Sequence, residues 1–225
     1  MLEKPSFSLK DHLFNPESVD VLASCFLKVD RSFPKAKFVK KVLSGFPGRG
    51  LKERINWIVE VMKEFLPDSY PLALRYITAS LPPELDPQKT DDDFGNFILA
   101  PLANYIAEYG CTEEYLAISL RGLRECTKRF SAEDAIRYFI NTFPEETMEF
   151  LLRGAHSNNY HVRRLSSEGT RPRLPWCIGI NLDYQETLPL LDILFSDKTR
   201  YVTRSVANHM NDISKINPEL VIKKL

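Results

Sequence analysis

The sequence predicts an all-α chain of stacked helical repeats, a curved α-solenoid with one concave face. Three observations carry that expectation. Apolar residues recur at spacings of three and four along most of the chain, which is the helical period. No long stretch alternates with the period of two that a half-buried strand requires. The C-terminal half also repeats itself at an offset of 40 residues. With 225 residues, 44% hydrophobic and 27% charged, there is enough apolar material for a continuous core.

Proline marks the joints, with 15 prolines lying mainly between apolar segments and only 9 glycines in the chain. In 17–28 Val19, Leu22 and Phe26 share one face, and in 51–65 Leu51, Ile55, Ile58, Val59 and Met62 do the same. Further helices are expected over 34–45, 70–81, 95–109, 112–128, 132–142, 145–153, 158–167, 185–196, 200–214 and 217–224. Residues 81–95 (LPPELDPQKTDDDFG) break the pattern with three prolines and four aspartates, which predicts a solvated loop. The expected organisation is a single domain over 1–225, with a helical cap over 1–80 and a repeat body over 95–225.

The repeat pairs two ungapped segments, one starting at Glu146 and the other at Glu186. Glu146/Glu186, Thr147/Thr187, Leu151/Leu191, Val162/Val202 and Arg164/Arg204 coincide. Two helices per 40 residues is the spacing of HEAT-type units, which bury their apolar faces by stacking.

Charge and composition exclude several classes. Thirty basic and 30 acidic side chains cancel, unlike the strongly basic balance of a tail-driven nucleic-acid binder. The balance is uneven, however: residues 1–152 hold 19 basic and 23 acidic groups, and 153–225 hold 11 and 7. A basic C-terminal third suits a partner with an acidic surface. No apolar run approaches the ~18 residues of a membrane-spanning helix, and the N-terminus lacks the layout of an export signal. Cys25, Cys111, Cys126 and Cys177 form no CxxC, so buried thiols of a cytoplasmic protein are expected. His12, His156, His161 and His209 show no ligand spacing, and there is no Walker loop or GxGxxG. No metal or cofactor is therefore expected.

Three segments could carry chemistry. Within 201–215, Arg204, Asn208, Asn211 and Lys215 form a polar stripe on a different face from Val202, Val206, Met210 and Ile213. Such a stripe suits phosphate oxygens and base or sugar edges, or is a solvated face. Residues 161–176 hold Arg163, Arg164, Arg171 and Arg173 against one acid, Glu168, with two prolines stiffening the loop. Arginines on a rigid loop suit bidentate phosphate binding. Trp176 could stack on a base, although composition alone reads LPWCIGI as a core segment. In 130–140, Ser131 and Asp134 read as a capping box. That box places Glu133 in a first turn, where the helix dipole keeps a carboxylate ionised. On spacing alone, Glu133 reads as structural.

In this order, SAEDAIR (131–137), VRRLSSEGTRPRLPW (162–176) and YVTRSVANHMNDISKINPEL (201–220) resemble the AlkC-like branch of the AlkC/AlkD family of DNA alkylation-repair glycosylases. The resemblance is firm over about 95–225 and one of organisation only before that. It implies HEAT-like repeats curved around double-stranded DNA that carries alkylated bases. It also implies a cofactor-free monomer that excises cationic bases such as 3-methyladenine by hydrolysing the N-glycosidic bond. Carried over by position, it implies that Glu133 is the catalytic carboxylate, with Asp212 a second candidate. Trp176 would pack on the lesion or sugar, and Arg163, Arg164, Arg171, Arg173 and Arg204 would hold phosphates. The AlkD branch has a tryptophan–aspartate pair and another tryptophan near places where this chain has Phe130 and Asn208. Some AlkC-type enzymes continue into an immunoglobulin-like domain, and this sequence ends at Leu225, which bears on expected DNA grip and lesion range. The rival expectation is a HEAT-like scaffold that binds nucleic acid or protein without catalysis.

Overall fold

In the computed structural model, which describes residues 8–89, 91 and 94–224, the twelve expected segments become α-helices, and a thirteenth helix of five residues, not expected, precedes them. The N-terminal third contains α1 (Leu9–Leu13), α2 (Pro16–Val29), α3 (Lys35–Ser44), α4 (Leu51–Phe65) and α5 (Tyr70–Ser80). There follow α6 (Ala100–Gly110), α7 (Leu116–Thr127), α8 (Glu133–Thr142), α9 (Pro144–Ala155) and α10 (Tyr160–Glu168). The chain then continues into α11 (Tyr184–Leu194), α12 (Arg200–Ser214) and α13 (Pro218–Lys224). Local signals explain most boundaries. At α2, for instance, Asn15 Oδ1 accepts from Ser18 N (2.8 Å) and Ser18 Oγ accepts from Asn15 N (3.0 Å), ahead of Pro16 at the first helical position.

Three boundaries differ from expectation. The helix expected over 95–109 starts only at Ala100, because Gly95 has φ of 78° and bridges to Phe130 in extended form. A Cβ at Gly95 would lie 1.8 Å from the Arg129 carbonyl oxygen, so only glycine fits there. The helix expected from 112 starts at Leu116, after a turn closed by Tyr115 N donating to Thr112 O (3.1 Å). At α8 the expected capping box is absent. Ala132 is the N-cap residue, without a side-chain bond, and Ser131 Oγ donates instead to Glu133 Oε2 (2.7 Å).

The 40-residue repeat is a pair of stacked hairpins, with α9 lying against α11 and α10 against α12. Thr147 and Thr187, Leu151 and Leu191, and Val162 and Val202 are all buried in their respective copies. Buried apolar residues form one cluster running from Phe14 to Val221. Edge-on contacts of Phe97 with Phe14 (5.8 Å) and Phe130 (5.0 Å) carry that core up to the start of α8.

Of the segment 81–95, in which 90, 92 and 93 lie outside the described residues, the described part is exposed in part, as expected, but it is also strapped to the body. Leu85 N donates to Lys128 O (3.0 Å), Arg129 Nε to Pro82 O (2.9 Å) and Tyr160 Oη to Lys89 O (2.5 Å). No helix among the described residues is long and apolar enough to cross a membrane, and no group of three or more metal-ligating side chains occurs among them. Cys25 and Cys126 are buried, whereas Cys111 and Cys177 are only half-buried.

His209 gives a pH signature to this fold. Its ring is fully buried, with Nδ1 3.0 Å from Ser167 O and Nε2 3.3 Å from Thr187 Oγ1. Burial depresses its pKa to about 4. Below the ordinary imidazole value of about 6.5 the unfolded chain takes up a proton that the folded chain still refuses, so stability falls as pH drops toward 4. The urea midpoint is expected to decline over that window, and to decline less steeply in His209→Gln. Equal slopes would contradict the assignment.

Candidate active site

Glu133 is the first residue of α8, where free backbone N–H groups and the helix dipole favour a carboxylate. Its side chain is 27% exposed, so it is neither free at the surface nor sealed inside. Oε2 accepts from Ser131 Oγ (2.7 Å) and from Arg164 Nη1 (2.7 Å). Oε1 accepts no hydrogen bond from the described residues. One oxygen is thereby fixed and the other remains available.

Arg164 is the pivot of a longer ionic chain. It is buried on α10, with its guanidinium 4.4 Å from the Tyr201 ring centroid and 5.9 Å from that of Phe94. Arg164 Nη2 lies 3.6 Å from Glu168 Oε2, and Glu168 Oε1 accepts from Arg171 Nη1 (2.8 Å). Arg171 Nε donates to Asp212 Oδ2 (2.9 Å), and Lys215 stands 3.8 Å from Asp212 Oδ1 at the exposed end. Burial alone would push Glu168 up and both arginines down. The opposite charges beside them outweigh it, holding Glu168 below the usual carboxylate range and both arginines above theirs. With Lys215 at its exposed end, the chain comprises three carboxylates and three cations, which balance. Glu133 is its end at the cleft.

Trp176 stands beside this carboxylate. It is 80% exposed and has φ of 71°, and it is the one positive-φ non-glycine residue among those described. A bulky residue held in the left-handed region stores strain that the surrounding structure must offset. The loop carrying it is fastened from α8. Arg137, almost fully buried, donates from Nη1 to Gly169 O (3.1 Å) and Arg171 O (2.9 Å), and from Nε to Ile178 O (2.5 Å). Asn141 Nδ2 donates to Gly179 O (2.9 Å), and its Oδ1 accepts from Asn181 N (2.9 Å). Glu133 and Trp176 line one cleft of about 430 Å³, whose other walls include Leu51, Ile55, Phe97 and Phe130. A carboxyl oxygen, an exposed indole and an apolar wall therefore meet in one opening.

The remaining predicted residues separate into two groups. Arg163 and Arg164, expected to hold phosphates, are interior. Arg163 holds Asp197 through Nε (2.5 Å) and Nη2 (3.0 Å), and also donates to Thr199 Oγ1 and to the carbonyls of Ser157 and Asn158. With those donors spent, Arg163 is a brace for the 157–159 and 197–199 turns. Arg164 and Arg171 belong to the ionic chain, and Asp212 is buried behind Arg171, outside the cleft of Glu133. Arg173, Asn208, Asn211 and Lys215 are exposed, and Arg204 is partly exposed, paired with Asp91 alongside Arg200. None of these five lines the cleft. Trp176, which composition reads as packed, is instead the most exposed large apolar side chain described.

Sequence reasoning missed Arg137, Asn141 and Lys52. Arg137 had one signal: a cation between Ile136 and Phe139 on the apolar face of α8, one turn beyond Glu133. Lys52 had none, since its contact with residue 176 spans 124 positions.

No model of a known protein family matches the chain. It is 32% identical over 215 residues to the uncharacterized protein YhaZ of Bacillus subtilis, a match covering 94% of this chain and 57% of that protein. Among solved structures it resembles a Pseudomonas fluorescens alkylpurine DNA glycosylase, AlkC, bound to DNA containing an abasic site analogue. There the TM-score is 0.83 at 31% identity, covering 97% of this chain and 58% of the other. The chain thus spans a little over half the length of the relatives it matches. By sequence and by fold along nearly all of its own length, the chain is similar to YhaZ and to AlkC.

Proposed function

We propose that this chain is a DNA glycosylase that excises cationic N-alkylated bases, such as 3-methyladenine, by hydrolysis of the N-glycosidic bond. The observation that carries the reading is the Glu133 carboxylate, fixed through one oxygen and open at the other, in a cleft rimmed by Trp176. Alkylation at a ring nitrogen gives the base a positive charge and makes it a good leaving group, so a strong general acid is not required. What the protein must supply is stabilisation of the oxocarbenium-like sugar, as glycosidases do with a carboxylate. The Glu133 carboxylate serves that purpose, because Arg164 and Ser131 hold one of its oxygens and leave the other open to the cleft. Trp176 presents a flat face against the lesion or its sugar.

Double-stranded DNA carrying alkylated bases is the partner in this reading, and the exposed cations of the C-terminal third make the phosphate contacts. Arg173 tests that part cleanly, since it lies on the Trp176 loop and is exposed. Arg173→Ala is expected to weaken duplex binding and to reduce the slope of log affinity against log salt by about 0.9, with thermal stability unchanged. An unaltered slope would remove Arg173 from the phosphate contacts. The activity itself is tested by incubating the protein with methylated duplex DNA and measuring free 3-methyladenine. Duplex binding without release would favour a non-catalytic scaffold.

A further inference from the structure

We infer that Lys52, on a helix of the N-terminal third, is a positioning residue that holds Trp176 in its strained, cleft-facing conformation. The inference rests on Trp176 belonging to the reaction site proposed above. Lys52 Nζ donates to the backbone oxygen of Trp176 (3.0 Å) and to Asp134 Oδ1 (3.2 Å). Asp134 is the neighbour of Glu133 in the first turn of α8, and its Oδ2 accepts weakly from Asn104 Nδ2 (3.4 Å). On the other side of the same turn, burial and then the Asp134 carboxylate push the Cys177 thiol up to about 12. It is therefore a neutral donor able to bond Asp134. One lysine thus bridges the tryptophan backbone and the carboxylate that receives the next side chain.

Lys52 is the one described side chain that donates to the Trp176 backbone. Arg137 and Asn141 fasten the loop at Gly169, Arg171, Ile178, Gly179 and Asn181. Those bonds flank Trp176 without reaching it. Trp176 is also too exposed for packing to hold its backbone, and an L residue at φ of 71° relaxes unless something fixes it. A turn closed by Cys177 N donating to Leu174 O (3.3 Å), with Pro175 and Trp176 at its centre, sets that conformation locally, and the Lys52 bond to the Trp176 carbonyl anchors the turn to α4 and α8. The ammonium reaches across from α4 to α8 and the Trp176 loop, so the N-terminal third takes part in setting the site. Lys52 does not need to touch the substrate, since it acts through Trp176 and Asp134.

The test compares the whole chain with Lys52→Met and Lys52→Arg. Single-turnover release of 3-methyladenine is expected to slow by roughly 10- to 100-fold in Lys52→Met, as misplacement of a substrate-orienting group does. Duplex affinity and melting temperature should stay near wild type, and Lys52→Arg should recover most of the rate. Amide hydrogen exchange should rise in 174–178 and not in α4 or α8. A wild-type rate in Lys52→Met would overturn the proposal. So would a loss accompanied by global destabilisation and not relieved by arginine. If the wild-type chain releases no base at all, the glycosylase reading fails, and exchange in 174–178 still decides whether Lys52 holds the turn.

Discussion

Glu133→Gln is expected to lose base excision while still binding duplex DNA. The substitution keeps the size of the side chain and an acceptor for Ser131, but removes the charge. A carboxylate about 4 Å from a developing oxocarbenium ion contributes about 4 kcal/mol at an effective dielectric near 20, or roughly a thousandfold in rate. Release of 3-methyladenine under single-turnover conditions should fall by about that factor. Affinity for an undamaged duplex should hold, because Glu133 is an acid set back from the exposed cations. Release unaffected by the substitution would take Glu133 out of the mechanism.

The second large effect is on stability. Arg164→Met removes the guanidinium between Glu133 and Glu168, and Glu168 has only 6% of its side chain exposed. Glu168 keeps Arg171 (2.8 Å) but loses one of its two cations, so the cost is about 3 kcal/mol, at the lower end of what breaking a buried pair costs. For a chain of this size that lowers the melting temperature by roughly 10 °C. The cost is greater than for an exposed ion pair such as Arg153–Glu149, for which about 0–1 kcal/mol is typical. A melt indistinguishable from wild type would show that Arg171 alone compensates Glu168. Arg173→Ala, on the loop that follows α10 and exposed, is the control and should melt normally.

The contrast between those arginines shows what the sequence could convey. The helical period placed α4 and α12 within a residue of their observed ends, because an apolar stripe is a local property of 15 residues. The 40-residue offset likewise predicted that α9 and α10 would stack on α11 and α12. Helix α10 defeated the same reasoning. YHVRRLSSE reads as a solvated, basic surface, yet every residue from Tyr160 to Thr170 is buried. Its charges are satisfied by Asp197, Glu133 and Arg171, which lie on other elements. Burial of a polar helix depends on partners far away in sequence, and no local pattern announces them.

Trp176 erred in the opposite direction. An indole among Leu174, Pro175 and Ile178 has the composition of a core, but the prolines and the Arg137 bonds turn the backbone outward at that residue. The Glu133 carboxylate was legible as a position at a helix start. Its connection to Arg164 was not, since the two residues lie 31 positions apart. Family resemblance supplied the emphasis on Glu133 and Trp176, and the fold places both in one cleft.

The most direct test is a crystal structure of this chain with duplex DNA that carries a cationic azasugar in place of the damaged nucleoside. The account predicts that the azasugar ring lies within about 4 Å of Glu133 Oε1, close enough for the attraction estimated above, with Trp176 against its face. A ring bound elsewhere, with Glu133 still turned wholly toward Arg164 and Ser131, would contradict it.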